Sequence, residues 1–249
     1  MTEQASLSAS PVAPLWGELR YSGEFLRLLA DRELRSPRRH EDAAPAFLIP
    51  GFMAGDSSLR VLSAWLGRRG HPVGSSGMRV NADCAERCVM RLQEALAAFS
   101  SEYAGRVVLI GQSRGGALAR VLAVRNPELV RSVVMLGSPV CDPLAVAAPV
   151  LQTVRWMARL GDLGLPGVLS SDCRDGACCA NFRRDLTAAL PVGVEALAVH
   201  SRSDAIVDWR ACLDPHARQL EVDSSHCGMS VHPAVYRALD DLLDAPRGA

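Results

Sequence analysis

The stretch VVLIGQSRGGALAR, residues 107–120, sets a serine at a corner between two kinds of structure. Val107 to Ile110 are apolar and largely β-branched, and Gly105 and Gly111 bound them, which predicts a short buried strand. Ala117, Leu118, Val121 and Leu122 then recur at helical spacing, which predicts a helix over 114–125. A strand that turns straight into a helix needs a tight corner. Gly111 and Gly115 remove the Cβ atoms that would crowd it. Ser113 therefore sits exposed at a sheet edge, above a helix N-terminus, which is where a nucleophile is useful.

Outward from this corner, the chain alternates strands with helices. AFLI (46–49), SVVML (132–136), LAV (197–199) and LEV (220–222) read as further strands. Helical patterns run from near Ser57 through Leu66, over 83–100 and from Val231 to Leu243. Such alternation predicts an α/β fold: a mostly parallel sheet with helices on both faces. Residues 141–192 interrupt it with a helical stretch (144–160) and a Gly-, Pro- and Cys-rich piece, read as an insertion over the sheet. Before the first strand, residues 1–14 read as a disordered tail and 35–45 as a polar connector. Between them a helix from Leu15 to Leu34 is expected to cover the core through Leu15, Leu19, Leu26 and Leu29. The chain thus divides into an N-terminal tail and helix (1–44) and a main domain (45–249).

Composition narrows the function. Lys+Arg and Asp+Glu both number 27, so no overall field draws the protein to nucleic acid or to an anionic membrane. No apolar run is long enough to span a bilayer, and MTEQASLSASPVAP lacks the basic start and apolar stretch of a secretion signal. A cytoplasmic location without stable membrane insertion is expected. There are eight cysteines. Cys84 and Cys88 are too few ligands for a metal, and Cys173, Cys178 and Cys179 lack the paired short spacings that zinc favours. Free buried thiols are expected, with a disulfide among Cys141, Cys173, Cys178, Cys179, Cys212 and Cys227 as the alternative.

Gly111-Gln112-Ser113-Arg114-Gly115 matches G-x-S-x-G in the strand-turn-helix context that a nucleophile elbow requires. A serine hydroxyl needs a base, and the base needs a third group to orient it. His226, in the loop after LEV, shares the sheet edge of Ser113. His232 with Pro233 is better placed to open the last helix, and His200 to support the core. For the acid, HSRSDAIVDW offers Asp204, in a loop that can turn back to the histidine, and Asp208, which can start a short helix. Asp204 is preferred. An oxyanion would be held by the N–H of Arg114 and by that of Phe52, in the loop after AFLI. The side chain of Arg114 is expected to form an ion pair within the insertion.

AFLIPGF, VVLIGQSRGG, SRSDAIVDW and SSHCGM together resemble the lipase and esterase branch of the α/β-hydrolases, over about residues 45–243. The resemblance implies a Ser-His-Asp acyl-enzyme mechanism on a small-molecule acyl ester, with no cofactor and no metal, carried by Ser113, His226 and Asp204. Where many relatives have His-Gly, this chain has Pro50-Gly51, which leaves the next backbone N–H in place. The insertion corresponds to the family's cap, so Trp156 and Leu160 are expected to shape the acyl site. A thioesterase, cyclase or acyltransferase would use the same acyl-enzyme. A binding protein on this fold is disfavoured because no triad member is missing. The Cys- and Arg-rich stretch 77–91 has no reading.

Overall fold

The computed structural model describes residues 15–35, 43–103 and 105–244. The expected disordered tail and most of the polar connector lie outside them. Six parallel strands form one sheet in the order β2-β1-β3-β4-β5-β6: β1 (Ala46–Ile49), β2 (Val73–Ser75), β3 (Val107–Gln112), β4 (Val130–Leu136), β5 (Glu195–His200) and β6 (Arg218–Glu221). β1 and β3 are buried along their whole length, as strands covered on both faces must be, which is why they read as unbroken apolar runs. β2 was not foreseen. Its three residues, Val-Gly-Ser, carry almost no apolar signal.

Strand alternation sorts the core into two halves. Leu48, Val108, Ile110, Val134 and Val199 face one side, where they meet α3 (Arg60–Arg68) through Leu62 and Leu66 and α9 (Pro233–Asp244) through Val235, Tyr236 and Leu239. Phe47, Ile49, Val107, Leu109, Val133 and Met135 face the other, against α4 (Ala85–Ser101) and α5 (Arg114–Arg125). The chain runs from β1 outward to β2, then returns past β1 to β3 and proceeds the opposite way. Crossovers of one hand put the helices of these two directions on opposite faces. The reversal falls between β1 and β3, where an α/β sheet leaves a crevice at the carboxyl ends of its strands.

The N-terminal helix departs from expectation. It is broken into a 3-10 turn (Leu15–Arg20), α1 (Tyr21–Ala30) and the short α2 (Arg32–Arg35). Leu19, Leu26 and Leu29 are exposed, 81%, 64% and 47%, whereas Glu24 is buried. Tyr21, Phe25 and Leu28 supply the apolar contact with the core instead. The face turns because the carboxylates have partners on the body. Glu24 accepts from the Ser225 N–H at 2.8 Å and its hydroxyl at 2.6 Å, and Glu18 accepts from the N–H groups of His226 at 2.9 Å and Cys227 at 3.1 Å. Such charge-assisted bonds outweigh exposure of three leucines. Among the described residues no helix is long and apolar enough to cross a membrane.

Between β4 and β5 the chain forms α6 (Ala148–Asp162), α7 (Asp172–Asp175) and α8 (Ala180–Thr187). This segment is less uniform than an insertion over the sheet. Phe182 and Leu186 of α8 belong to the same core as α4 and α5, so α8 is part of the body. Arg120 of α5 fastens it there: buried, it donates to the Ala188 carbonyl at 2.9 Å and to Asp214, also buried, at 2.5 Å. α6 instead places Met157 in a small cluster with Ala82 and Val168, against which Phe52 and Leu160 pack.

β3 passes into α5 through Ser113, whose φ is +53° and ψ −125°. A side chain in this conformation is strained by about 1–3 kcal/mol. Bonds on both sides enforce it: the Ser113 N–H donates to Leu136 at 2.7 Å and its carbonyl accepts from Gly116 at 2.9 Å. A Cβ at Gly111 would collide with the Gly115 carbonyl, and one at Gly115 with the carbonyls of Ile49 and Pro50.

Two stability outcomes follow from this architecture. In urea denaturation, Ser113→Gly is expected to be more stable than Ser113→Ala by about 1 kcal/mol, since only glycine relieves the strain and its own chain entropy returns part of the gain. Equal stabilities would show that Ser113 is unstrained. Arg120→Met leaves the Asp214 carboxylate buried and unpaired, so it is expected to cost about 3–5 kcal/mol. Arg120→Met with Asp214→Leu is expected to recover much of that loss, and a double variant no better than the single one would argue against the pair.

Candidate functional site

The carboxyl ends of β1, β3, β4, β5 and β6 bring Ser113, Asp204 and His226 to one edge of the sheet. Asp204 lies four residues beyond β5 and His226 five beyond β6. Both are buried. His226 Nδ1 is 2.7 Å from Asp204 Oδ2, and the other carboxylate oxygen accepts the N–H groups of Ile206 and Val207, each at 2.8 Å. With one oxygen held by the backbone, the second is fixed toward the imidazole. Burial opposes a charge on His226, but the Asp204 carboxylate and its hydrogen bond overcome that and raise the histidine above its ordinary value, with Glu18 adding to the effect.

The histidine loop is tied to the serine corner. Gln112, the residue before Ser113, donates to the His226 carbonyl at 3.4 Å. Gly137, at φ +57° just after β4, lies beneath the imidazole, where a Cβ would sit 3.0 Å from Nδ1. Leu136, one residue earlier, accepts the Ser113 N–H. Ser113 and His226 therefore flank the end of β4.

The loop after β1 closes the other side. A Cβ at Gly51 would lie 3.3 Å from that of Ser113, so Phe52 follows directly beside the serine. Among the described residues the N–H groups of Phe52 and Arg114 have no acceptor. The loop is held by Asn81, which is fully buried. Its side-chain amide donates to the Pro50 carbonyl at 2.8 Å, its own carbonyl accepts from Met53 at 3.0 Å, and its N–H donates to Ala54 at 2.8 Å. Arg114 joins this node, donating to Asn81 Oδ1 at 2.9 Å, to the Asn81 carbonyl at 3.2 Å and to the Asp83 carbonyl. Among the described residues the expected ion pair within the insertion is not formed. Three neutral oxygens on the stretch 77–91 use the guanidinium instead, and that stretch, unread in the sequence, is what positions the loop.

The remaining candidates fall elsewhere. Asp208 caps the 3-10 turn Trp209–Cys212, accepting from Arg210 N at 3.0 Å, and His232 accepts from Ala234 N at 3.3 Å at the start of α9. His200 is buried, stacked with Trp209, and burial pushes its pKa down. Leu160 packs in the cluster that touches Phe52, while Trp156 is 59% exposed on α6. Two clefts lie away from Ser113. One of about 430 Å³ is lined by Arg202, Ser203, Glu221, Val222 and Asp223, and one of about 200 Å³ lies between α6 and residues 169–171.

A family profile described as the alpha/beta hydrolase fold matches residues 104–163, which contain the β3–α5 corner. No curated protein matches the chain in sequence. Solved structures do match in shape. The lipase BlEst2 of Bacillus licheniformis superposes with a TM-score of 0.62 at 15% identity, covering 82% of this chain and 94% of that one. An alpha/beta hydrolase enzyme from the metagenome of Mar Chica lagoon sediments gives 0.55 at 20% identity, covering 82% and 91%. A carboxylesterase of Bacillus subtilis gives 0.53 at 14% identity, covering 94% and 100%. The six-stranded parallel sheet, the serine corner and these likenesses agree: the chain has the α/β-hydrolase fold.

Proposed function

We propose that the protein is a serine hydrolase of carboxylic esters, with a small-molecule acyl ester as substrate. The observation that carries this reading is the buried Asp204–His226 pair, 2.7 Å apart, on the sheet edge where Ser113 occupies a strained corner. Structure and energy are spent there on three residues whose chemistry is complementary. In this reading, His226 Nε2 takes the proton of the Ser113 hydroxyl as Oγ attacks the ester carbonyl. Asp204 holds the tautomer in which Nδ1 carries the hydrogen, and stabilises the imidazolium that forms. The carbonyl oxygen becomes an oxyanion and accepts from the N–H groups of Phe52 and Arg114, the second of which opens α5 and adds its helix dipole. The intermediate collapses, the alcohol leaves with the proton from His226, and an acyl group remains on Ser113. Water, deprotonated by His226, then cleaves the acyl-enzyme.

Leu160 and Trp156 are proposed to border the acyl group. Leu160 is the better supported, because it packs in the cluster that Phe52 touches.

A fluorophosphonate is expected to label Ser113 covalently, as read by intact mass and peptide mapping, and Ser113→Ala to abolish both labelling and hydrolysis of a short activated ester. An unlabelled, folded wild-type protein would remove the enzyme and leave the fold. The second outcome concerns pH. Hydrolysis requires neutral His226, so activity is expected to fall as pH drops through the raised His226 pKa. Asp204→Asn removes the charge that raises it, so the acid limb is expected to move to lower pH. The amide would also present N–H to Nδ1 and favour the wrong tautomer, lowering kcat by about 10⁴-fold. An acid limb that stays in place would show that Asp204 does not act on His226.

A further inference from the structure

We propose that Cys84, Cys173, Cys178 and Cys179 form a tetrathiolate site for a zinc ion, which staples the segment after α6 to the start of α4. Their sulfur atoms all lie within 4.8 Å of one another. Cys84 and Cys179 are 3.4 Å apart and Cys178 and Cys179 3.7 Å. A tetrahedron with zinc–sulfur bonds of about 2.3 Å has edges of about 3.8 Å, so the cluster is close to the size of the coordination shell. All four are free thiols, with none paired as a disulfide.

The fourth donor is what the sequence concealed. Cys173, Cys178 and Cys179 are a three-ligand group by spacing, and Cys84 reaches them from a position 95 residues before Cys179. It does so as the residue preceding α4, while Cys173 lies in α7 and the other two in the 3-10 turn Ala177–Cys179. Cys84 and Cys179 are buried, Cys173 is half-buried and Cys178 faces the surface, which gives an ion an entry path.

The surroundings suit thiolates bound to a cation. The N–H of Ser170 donates to Cys173 Sγ at 3.3 Å, an outer bond of the kind that steadies a metal ligand. Arg87, on α4 near both Cys84 and Cys173, is bound to Asp83 at 2.6 Å, so the pair leaves the cluster's charge to be met by the ion itself.

The segment also needs a fastening. Between α6 and α8 the only regular structure is a helix of four residues and a turn of three. Val168, Leu169 and Cys179 are its buried apolar residues. So little core holds a loop weakly, and a structural ion supplies folding energy directly. The staple ends at Cys84, next to Asp83, whose carbonyl accepts from Arg114. It therefore fixes the same turn that steadies the loop after β1. The site stands on the four sulfurs alone and is independent of the proposed hydrolase activity.

The test is metal content of the full chain, purified without chelator from zinc-supplemented culture and measured by inductively coupled plasma mass spectrometry. One zinc per chain is expected. Exchange for cobalt(II) is expected to give thiolate-to-cobalt charge-transfer bands with the intense visible bands of a tetrahedral site. Cys84→Ser and Cys178→Ser are each expected to reduce zinc to background or to change the cobalt spectrum, while Cys227→Ser, outside the cluster, keeps both. Because Cys178 faces the surface, its variant preserves a reading should Cys84→Ser fail to fold. A metal-free wild-type protein would overturn the site, as would loss of hydrogen pairs among these four cysteines in non-reduced peptide mapping. So would a cobalt spectrum without thiolate bands, or a Cys178→Ser variant that keeps both full zinc stoichiometry and an unchanged cobalt spectrum.

Discussion

The carbonyls of Ile49 and Pro50, at the end of β1, lie so close to the start of α5 that Gly115 has no room for a Cβ. This approach decides most of what surrounds it. It brings the loop after β1 against Ser113, and it is possible only because β1 and β3 are hydrogen-bonded neighbours whose onward chains diverge. Glycine at 115 and a positive φ at Ser113 are two aspects of one constraint: a helix must begin directly over an adjacent strand end. A larger residue at the first position would push α5 away, and with it the Arg114 N–H that opens the helix.

What the chain reveals about itself depends on how local each cause is. The corner at 107–120 was legible because strand, glycines and helix all lie within a few residues. The placement of His226 and Asp204 on one sheet edge was legible because each follows a strand that ends there. β2 was invisible, since a parallel strand that pairs along one side needs neither length nor an apolar run. Asn81 was missed for a different reason. Its value lies in simultaneous contact with Pro50, Met53, Ala54 and Arg114, which no periodicity encodes.

The N-terminal helix shows the same limit in reverse. Its leucines at 15, 19, 26 and 29 gave an apolar stripe, and those at 19, 26 and 29 face away from the core. Hydrophobic patterning assumes that the partner surface is apolar. Here the partner presents main-chain N–H groups at residues 225–227, and carboxylates are the matching chemistry. The burial of Glu24 would have exposed the error, and a buried glutamate cannot be inferred from its neighbours in sequence.

That clasp also sets an order of events. Its two ends are separated by 201 and 208 residues, and closing a loop of that length costs roughly 5 kcal/mol in chain entropy. Contacts so distant along the chain form late, after the sheet and its helices have already shortened the path between them. On a ribosome, the helix emerges early and waits with both carboxylates in water until residues 225–227 have been made. The loop bearing His226 is thus the last piece to acquire its backing. Asp204 and Gln112 hold the histidine from the sheet side, and the clasp adds its backing when the two far ends of the chain meet.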